Sequence, residues 1–485
     1  MGNVGFRLIE GRLFVQRTGR KSQLKRTVFG HPRGLVFIAG TELWDRISFH
    51  GMQALLVLYM VEQLLLSGHV EHVAGFAAFR AAIESVTGPL STQALAFQIF
   101  GLYIGLIYFT PVFGGALGDR VLGRVRTITL GALLMTAGHF CLAFDQSFLL
   151  ALLLLILGAG ALRGNLQPQV GELYAKDDRR RTTAFQIYAA MINAGGFIAP
   201  IVTGQLAKSF SWHVGFAFAG FGMLVGLIVY LCGRPYLPPD PPRRERLAAP
   251  PLSREERRIV WYLIAMLPIA ALFWIAQSQV WNTYNIWVRD HVNLTFGHWT
   301  MPVPWLQSLD GLAPFACMPL VLMFWRWQRS KGREPSEFTK MAIGCWIFGA
   351  TTLLLAAASV AAGTAGRASL AWAVAFHLGS NIGWIFFAPT TTALVSRAAP
   401  GKINATMIGG YSLAVFMGSV ISGRLGALYE RWPASEFWLL HAALVSLGGV
   451  LVLAFGAVMK PALRQVAPLP LPAGAPLTQM LLKEG

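Results

Sequence analysis

Apolar runs long enough to cross a lipid bilayer recur twelve times along this 485-residue chain, and that pattern limits what it can fold into. Lipid offers the backbone no water to hydrogen-bond, so only helices or closed barrels can cross it. Runs of this length read as helices, over roughly 34–66, 93–118, 124–144, 147–174, 181–207, 211–233, 258–288, 303–328, 338–362, 368–396, 403–430 and 435–459. Hydrophobic residues make up 55% of the chain and charged ones only 13%. A soluble domain carries about 25% charged residues. The chain therefore reads as an all-α, multi-pass membrane protein.

Between the sixth and seventh runs lies RPYLPPDPPRRERLAAPPLSREERR, rich in proline and charge. The expected division is a basic tail at 1–33, a six-helix half at 34–233, a linker at 234–257, a second six-helix half at 258–459 and a tail at 460–485. Two such halves on one linker follow the plan of a major facilitator carrier. Lysine and arginine set the orientation. They crowd the N-terminal tail (Arg7, Arg12, Arg17, Arg20, Lys21, Lys25, Arg26, Arg33), the linker (Arg243, Arg244, Arg246) and the other even-numbered loops, including Lys176 and Lys402. The odd-numbered loops hold little beyond Arg80, Lys208, Arg289, Arg367 and Arg431. Both termini and the linker are thus expected in the cytoplasm, at the inner (plasma) membrane. The net charge of +18 then belongs to the inner membrane face, and no nucleic-acid partner is needed. The four cysteines fall inside apolar runs, which points to neither disulfides nor a metal site. Residues 1–33 lack an apolar core of their own, so no cleavable signal peptide is expected there.

Against this background the first run is unusual, because Glu42, Asp45, Arg46 and His50 sit inside it. At about 1.5 Å per residue the three charges lie well inside the membrane edge. Each costs at least about 2.5–3.5 kcal/mol at such depth. Their spacing of three and four residues puts them on one helical face, where they can neutralise one another. One arginine against two carboxylates leaves an acid over, which a purely structural ion pair would not need. The fourth run places Arg163 in GAGALRGNLQPQVGELY, equally deep, and the spare carboxylate (Asp45 or Glu42) is its obvious partner. After the second run, GGALGDRVLGRVRT combines close-packing glycines with Asp119, Arg120 and Arg124, which can pair across the loop or with a helix end.

The order Glu-x-x-Asp-Arg-Ile-x-x-His-Gly over 42–51 resembles the Glu-x-x-Glu-Arg-Phe-x-Tyr-Tyr-Gly stretch of the proton-dependent oligopeptide transporters, a branch of the major facilitator superfamily. The loop around Asp119 is similar to that superfamily's signature loop. Arg163 stands where the family's Gly-x-Gly-x-x-Lys-Pro-Asn has its lysine, and Asn165 matches. In the fifth run Ile192, Asn193 and Gly195 match, while Ala189 stands at a tyrosine position. The later segments resemble the family in altered form. Ser278 replaces a glutamate in the seventh, Asp310 an asparagine in the eighth and Trp384 a glutamate in the tenth.

The resemblance implies proton-coupling residues Glu42, Asp45 and Arg46, a gating loop at Asp119, Arg120 and Arg124, and substrate contacts at Arg163, Asn193, Asp310, His50, Trp384 and Ser278. Asn193 reads equally as ligand or as interhelical hydrogen bonder. Asp310 either meets a substrate ammonium or stays a neutral, hydrogen-bonded acid. His139 and His377 read as hydrogen-bonded helix contacts, although histidines there could titrate. The implied function is a monomeric symporter that imports di- or tripeptides, or peptide-like solutes, together with protons. No phosphate-binding loop, metal-ligand spacing or nucleophile–base pair is present, so neither ATP, a cofactor nor an enzyme activity is expected. Loss of two acids in the second half favours another reading on the same fold, a carrier of amino-acid conjugates, nitrate or other anions. A non-transporting sensor is a further alternative, though no soluble signalling domain is visible.

The orientation can be tested directly. In a background free of native cysteines, an impermeant thiol reagent on intact cells should label Arg80→Cys and spare Arg244→Cys. Equal labelling of both would overturn the orientation.

Overall fold

The computed structural model describes residues 5–9, 12–16, 27–175, 178–238, 252–363, 366–400 and 403–466. Of the basic residues used for orientation, Arg17, Arg20, Lys21, Lys25, Arg26, Lys176, Arg243, Arg244, Arg246 and Lys402 lie outside the described residues, as do most of the linker and the proline-rich tail. Ten helical segments among the described residues are long and apolar enough to cross a membrane. Helix α1 (Arg33–Tyr59), which carries the charged face, and α5 (Arg124–Cys141), which opens on two arginines, complete the twelve.

Most spans fall where the apolar runs place them, and the differences have local causes. The second span is α3 (Thr92–Phe109) followed by α4 (Pro111–Leu117). Pro111 has no N–H to return to the preceding turn, so the helix restarts there. (The short helix α2, Phe76–Thr87, lies in the first loop.) After α6 (Phe148–Glu172), α7 (Arg180–Ser209) and α8 (Trp212–Gly233) complete the first half. Helix α9 (Arg254–Gln279) starts earlier than the expected 258 because Ser253 and Glu256 form a capping box. The chain then turns at Asn282, and α10 (Thr283–His291) finishes that span. Helices α11 (Ser308–Ser330), α12 (Glu337–Ala362) and α13 (Leu370–Ala398) follow. The eleventh span is divided at Tyr411 into α14 (Asn404–Gly410) and α15 (Ser412–Gly426). Last comes α16 (Ala434–Val466), which runs past the expected limit of 459.

In the first half α1 packs on α7 and α8, α5 on α6 and α8, and α4 on α6. In the second, α12 packs on α13 and α16, α9 on α15 and α16, and α11 on α13. The halves meet along two seams, α3 against α15 and α7 against α11. Glycine permits both approaches. A Cβ added at Gly101 would lie 2.5 Å from the Ser419 carbonyl oxygen and 2.8 Å from Gly423 Cα. One added at Gly311 would lie 2.7 Å from the Asn193 carbonyl oxygen.

Several bonds between the halves gather on the side away from the linker. Glu62 and Arg289 pair at 3.3 Å. The Trp305 indole donates to the Ile201 carbonyl (3.0 Å) and the Asn282 amide to that of Phe97 (3.2 Å). Lys208 donates to the Thr300 carbonyl and Ser91 to Glu430. On the linker side, by contrast, Gly409 and Gly410 face open space. The α11–α12 loop there is pinned by Glu334, which binds Arg329 and Lys340 (2.6 Å to the latter). The hydrogen bond from Arg329, with the one from Lys340, holds the Glu334 carboxyl down at about 2.

Gly101→Ala should lower the thermal unfolding temperature of the detergent-solubilised protein by several degrees, since backbone atoms face the new methyl, while Gly410→Ala leaves it unchanged. Equal unfolding temperatures for both variants would show that the α3–α15 seam has slack. Glu334→Gln should also destabilise near neutral pH. Because the native carboxyl ionises below its ordinary 4.5, its contribution is complete above that pH and fades as pH falls towards 2. The gap between variant and wild type should therefore close with acidification; a gap independent of pH would assign the effect to packing.

Candidate functional site

The four charges of the first half form one buried cluster. Glu42 and Asp45 on α1 are fully inaccessible. Arg46, one turn after Glu42, donates from Nε to Glu42 Oε1 at 2.6 Å and lies 3.7 Å from Asp45 Oδ2. From α6, Arg163 donates through Nε to Asp45 Oδ2 at 3.2 Å, so the spare carboxylate that pairs with it is Asp45. Its guanidinium also lies 4.1 Å above the Phe49 ring. From α7, Tyr188 donates its hydroxyl to Glu42 Oε2. Two carboxylates thus face two guanidiniums. The remaining valences are open: Asp45 Oδ1 and both terminal nitrogens of Arg163 have no hydrogen-bond partner among the described residues.

Beside this cluster, between the halves, is a cavity of about 230 Å³. It is smaller than most ligand sites, which run from about 300 Å³. Of the predicted substrate contacts, His50, Asn193, Ser278, Asp310 and Trp384 all line it. Arg163 is not among the lining residues, and its place is taken by Arg46, which sequence reasoning assigned to coupling alone. Trp281 packs against His50 with ring centres 5.3 Å apart. Ser278 is tied to Ser419 at 2.9 Å and Trp274 to the Tyr411 hydroxyl at 3.1 Å.

Asp310 is the one carboxylate among the lining residues. Its Oδ1 is engaged by His377 Nδ1 and by the Asn381 amide, both at 2.8 Å and both from α13. His377 is fully buried. It was expected as a hydrogen-bonded helix contact; the contact is with Asp310. His139, given the same expectation, is also buried, but both its ring nitrogens lack partners among the described residues.

Three contacts at the candidate site were not legible in the sequence: Tyr188 on Glu42, Asn381 on Asp310 and the pairing of Asp310 with His377. The one available signal was Tyr188 beside Ala189, where the resembling family has its tyrosine. In the predicted gating loop Arg124 pairs across the loop with Asp119 at 3.1 Å and reaches Glu172 at 2.5 Å. Arg120 is exposed there.

A model of the POT family matches residues 125–250 and 251–439. The di-/tripeptide transporter of Lactococcus lactis subsp. cremoris is 27% identical over 499 residues, covering 89% of this chain and 96% of that protein. A peptide transporter of Yersinia enterocolitica is 25% identical, covering 83% and 88%. Among solved structures, a peptide transporter POT in complex with sulfate superposes with a TM-score of 0.77 at 23% identity, covering 91% of this chain and 99% of that one. A POT family transporter in complex with 5-aminolevulinic acid gives 0.76 at 22%, covering 92% and 99%. With twelve helical spans among the described residues in the major facilitator arrangement and a family match over most of its length, this chain belongs to the POT family of membrane transporters.

Proposed function

We propose that the protein is a proton-coupled symporter that imports di- and tripeptides across the plasma membrane by alternating access. The observation that carries this reading is the neutral quartet of Glu42, Asp45, Arg46 and Arg163. A substrate carboxylate that reaches Arg46 from the cavity would leave a buried cluster with one net negative charge. Low dielectric makes that costly. A proton on Asp45 or Glu42 restores neutrality, so substrate anion and proton bind together more readily than either does alone. Asp45 Oδ1, which has no partner among the described residues, is a place for that proton. With both termini in the cytoplasm, the closed side bearing Glu62–Arg289 is the outer one. The peptide transporters among the relatives support the substrate class.

Ser278 and Trp384 favour a second reading. With neutral side chains at both positions, the cavity carries Arg46 opposite a single acid, which suits an anionic solute. Uptake into proteoliposomes under an imposed pH gradient, with dialanine set against alanine and nitrate, separates the two readings. In the same assay Glu42→Gln and Asp45→Asn should lose gradient-driven accumulation by roughly 5–150-fold, the range of typical coupling energies. At least one of them should still exchange substrate without a gradient, because a fixed positive cluster binds a carboxylate with no proton. Arg163→Ala, which leaves Asp45 without its partner and the cluster one charge negative, should weaken binding of substrates with a free carboxylate. Retained accumulation in all three variants would place coupling outside this cluster.

A further inference from the structure

We infer that Asp310 and His377 form a proton-binding site in the C-terminal half, and that a proton and a substrate ammonium compete for it. The inference rests on the peptide reading for its second ligand, and on geometry alone for its first. Asp310 Oδ1 is held by His377 Nδ1 and by Asn381, each at 2.8 Å. One proton therefore lies on the Nδ1–Oδ1 axis. Three polar atoms around that axis are buried and lack partners among the described residues: Asp310 Oδ2, His377 Nε2 and the Tyr284 hydroxyl. The Tyr284 ring stands edge-on to His377 with centres 5.1 Å apart.

Counting protons gives two states. With a single shared proton the pair is aspartate and neutral imidazole, with net charge −1. With a second proton, on Nε2, the pair is neutral. The charged state is buried against apolar neighbours and asks for a cation. The opening to the cavity, where Asp310 is a lining residue, supplies two: a proton from water, or an ammonium group.

The surroundings leave this choice to the pair itself. Helix α7 presents Asn193, which is uncharged, and α10 presents Tyr284. On the far wall of the cavity α1 presents Arg46 and His50, and Arg46 is already committed to Glu42. Phe348 of α12 packs on Phe376 beside the histidine. The charged groups of α12, Glu337 and Lys340, are engaged at the linker end with Arg397 and Glu334. Apart from Arg46, none of the neighbours named on the cavity wall or against the histidine ring bears a fixed charge, and those of α12 are paired away from it. When an ammonium enters the charged pair no proton moves. When it enters the neutral pair, the second proton leaves to cavity water. The amine end therefore binds more tightly as pH rises, opposite in sign to the carboxylate end, where a proton accompanies the substrate.

Two measurements on the full-length protein test this. In protein labelled with ¹⁵N-histidine, the signal that disappears in His377→Gln should pass from bare to protonated Nε2 as pH falls from 8.5 to 5. A ring nitrogen fixed in one state across that range overturns the proton site, whatever the substrate. The second compares dialanine with N-acetyl-dialanine, which share a carboxylate and differ in the amine. Below pH 7.5 the amine of dialanine is mostly protonated. The preference for dialanine should grow several-fold from pH 5.5 to 7.5. In Asp310→Asn, which keeps the shape of the side chain, the preference should be small and flat. A wild-type preference that is itself flat overturns the competition. If dialanine does not bind at all, the peptide reading falls, and the histidine signal still decides the proton site.

Discussion

Charge neutrality in a dry interior is the condition on which the first half depends. Glu42 and Asp45 are wholly sequestered, so each must be matched in place by a cation. Arg46 supplies one match from the same helix and Arg163 the other from α6, while Tyr188 on α7 satisfies the remaining oxygen of Glu42. Three helices are thereby tied at one depth by bonds that lipid cannot replace. The cluster is both a tie within the half and a place where one added charge is costly.

The second half solves the same problem with less. Its cavity wall has one acid, and its partners are a histidine and an amide instead of guanidiniums. An arginine holds its charge at any physiological pH, whereas imidazole can give its charge up. The two walls of the cavity thus differ in kind: one pairs its acids with guanidiniums, the other with an imidazole and an amide. The close seams at Gly101 and Gly311 bring these walls near enough for one small molecule to touch both.

How much of this could be read from the sequence follows from which constraints are absolute. Spanning length and backbone satisfaction leave no freedom, so the twelve spans were legible. Opposite charges at depth must also find each other, which made Arg163 and the spare carboxylate of the first helix a readable pair. Neutral polar groups carry no such obligation. Tyr188 and His377 could have met any acceptor within reach, and their partners lie 146 and 67 residues away. Which arginine opens on the cavity depends on helix rotation by a fraction of a turn. Helix α1 is buried along most of its length, so its pattern gives no outer face from which to judge that rotation. Helix breaks were partly legible: Pro111 announces one, while the turn at Asn282 has no local signature.

Three of the bonds that close the side away from the linker end on main-chain oxygens, those of Phe97, Ile201 and Thr300. A carbonyl oxygen belongs to every residue type, so these acceptors survive any substitution that keeps the helix or hairpin path. Specificity of closure is vested in the donors Asn282, Trp305 and Lys208. The positions that receive them are free to drift in sequence, and either half can change there without a matching change in the other.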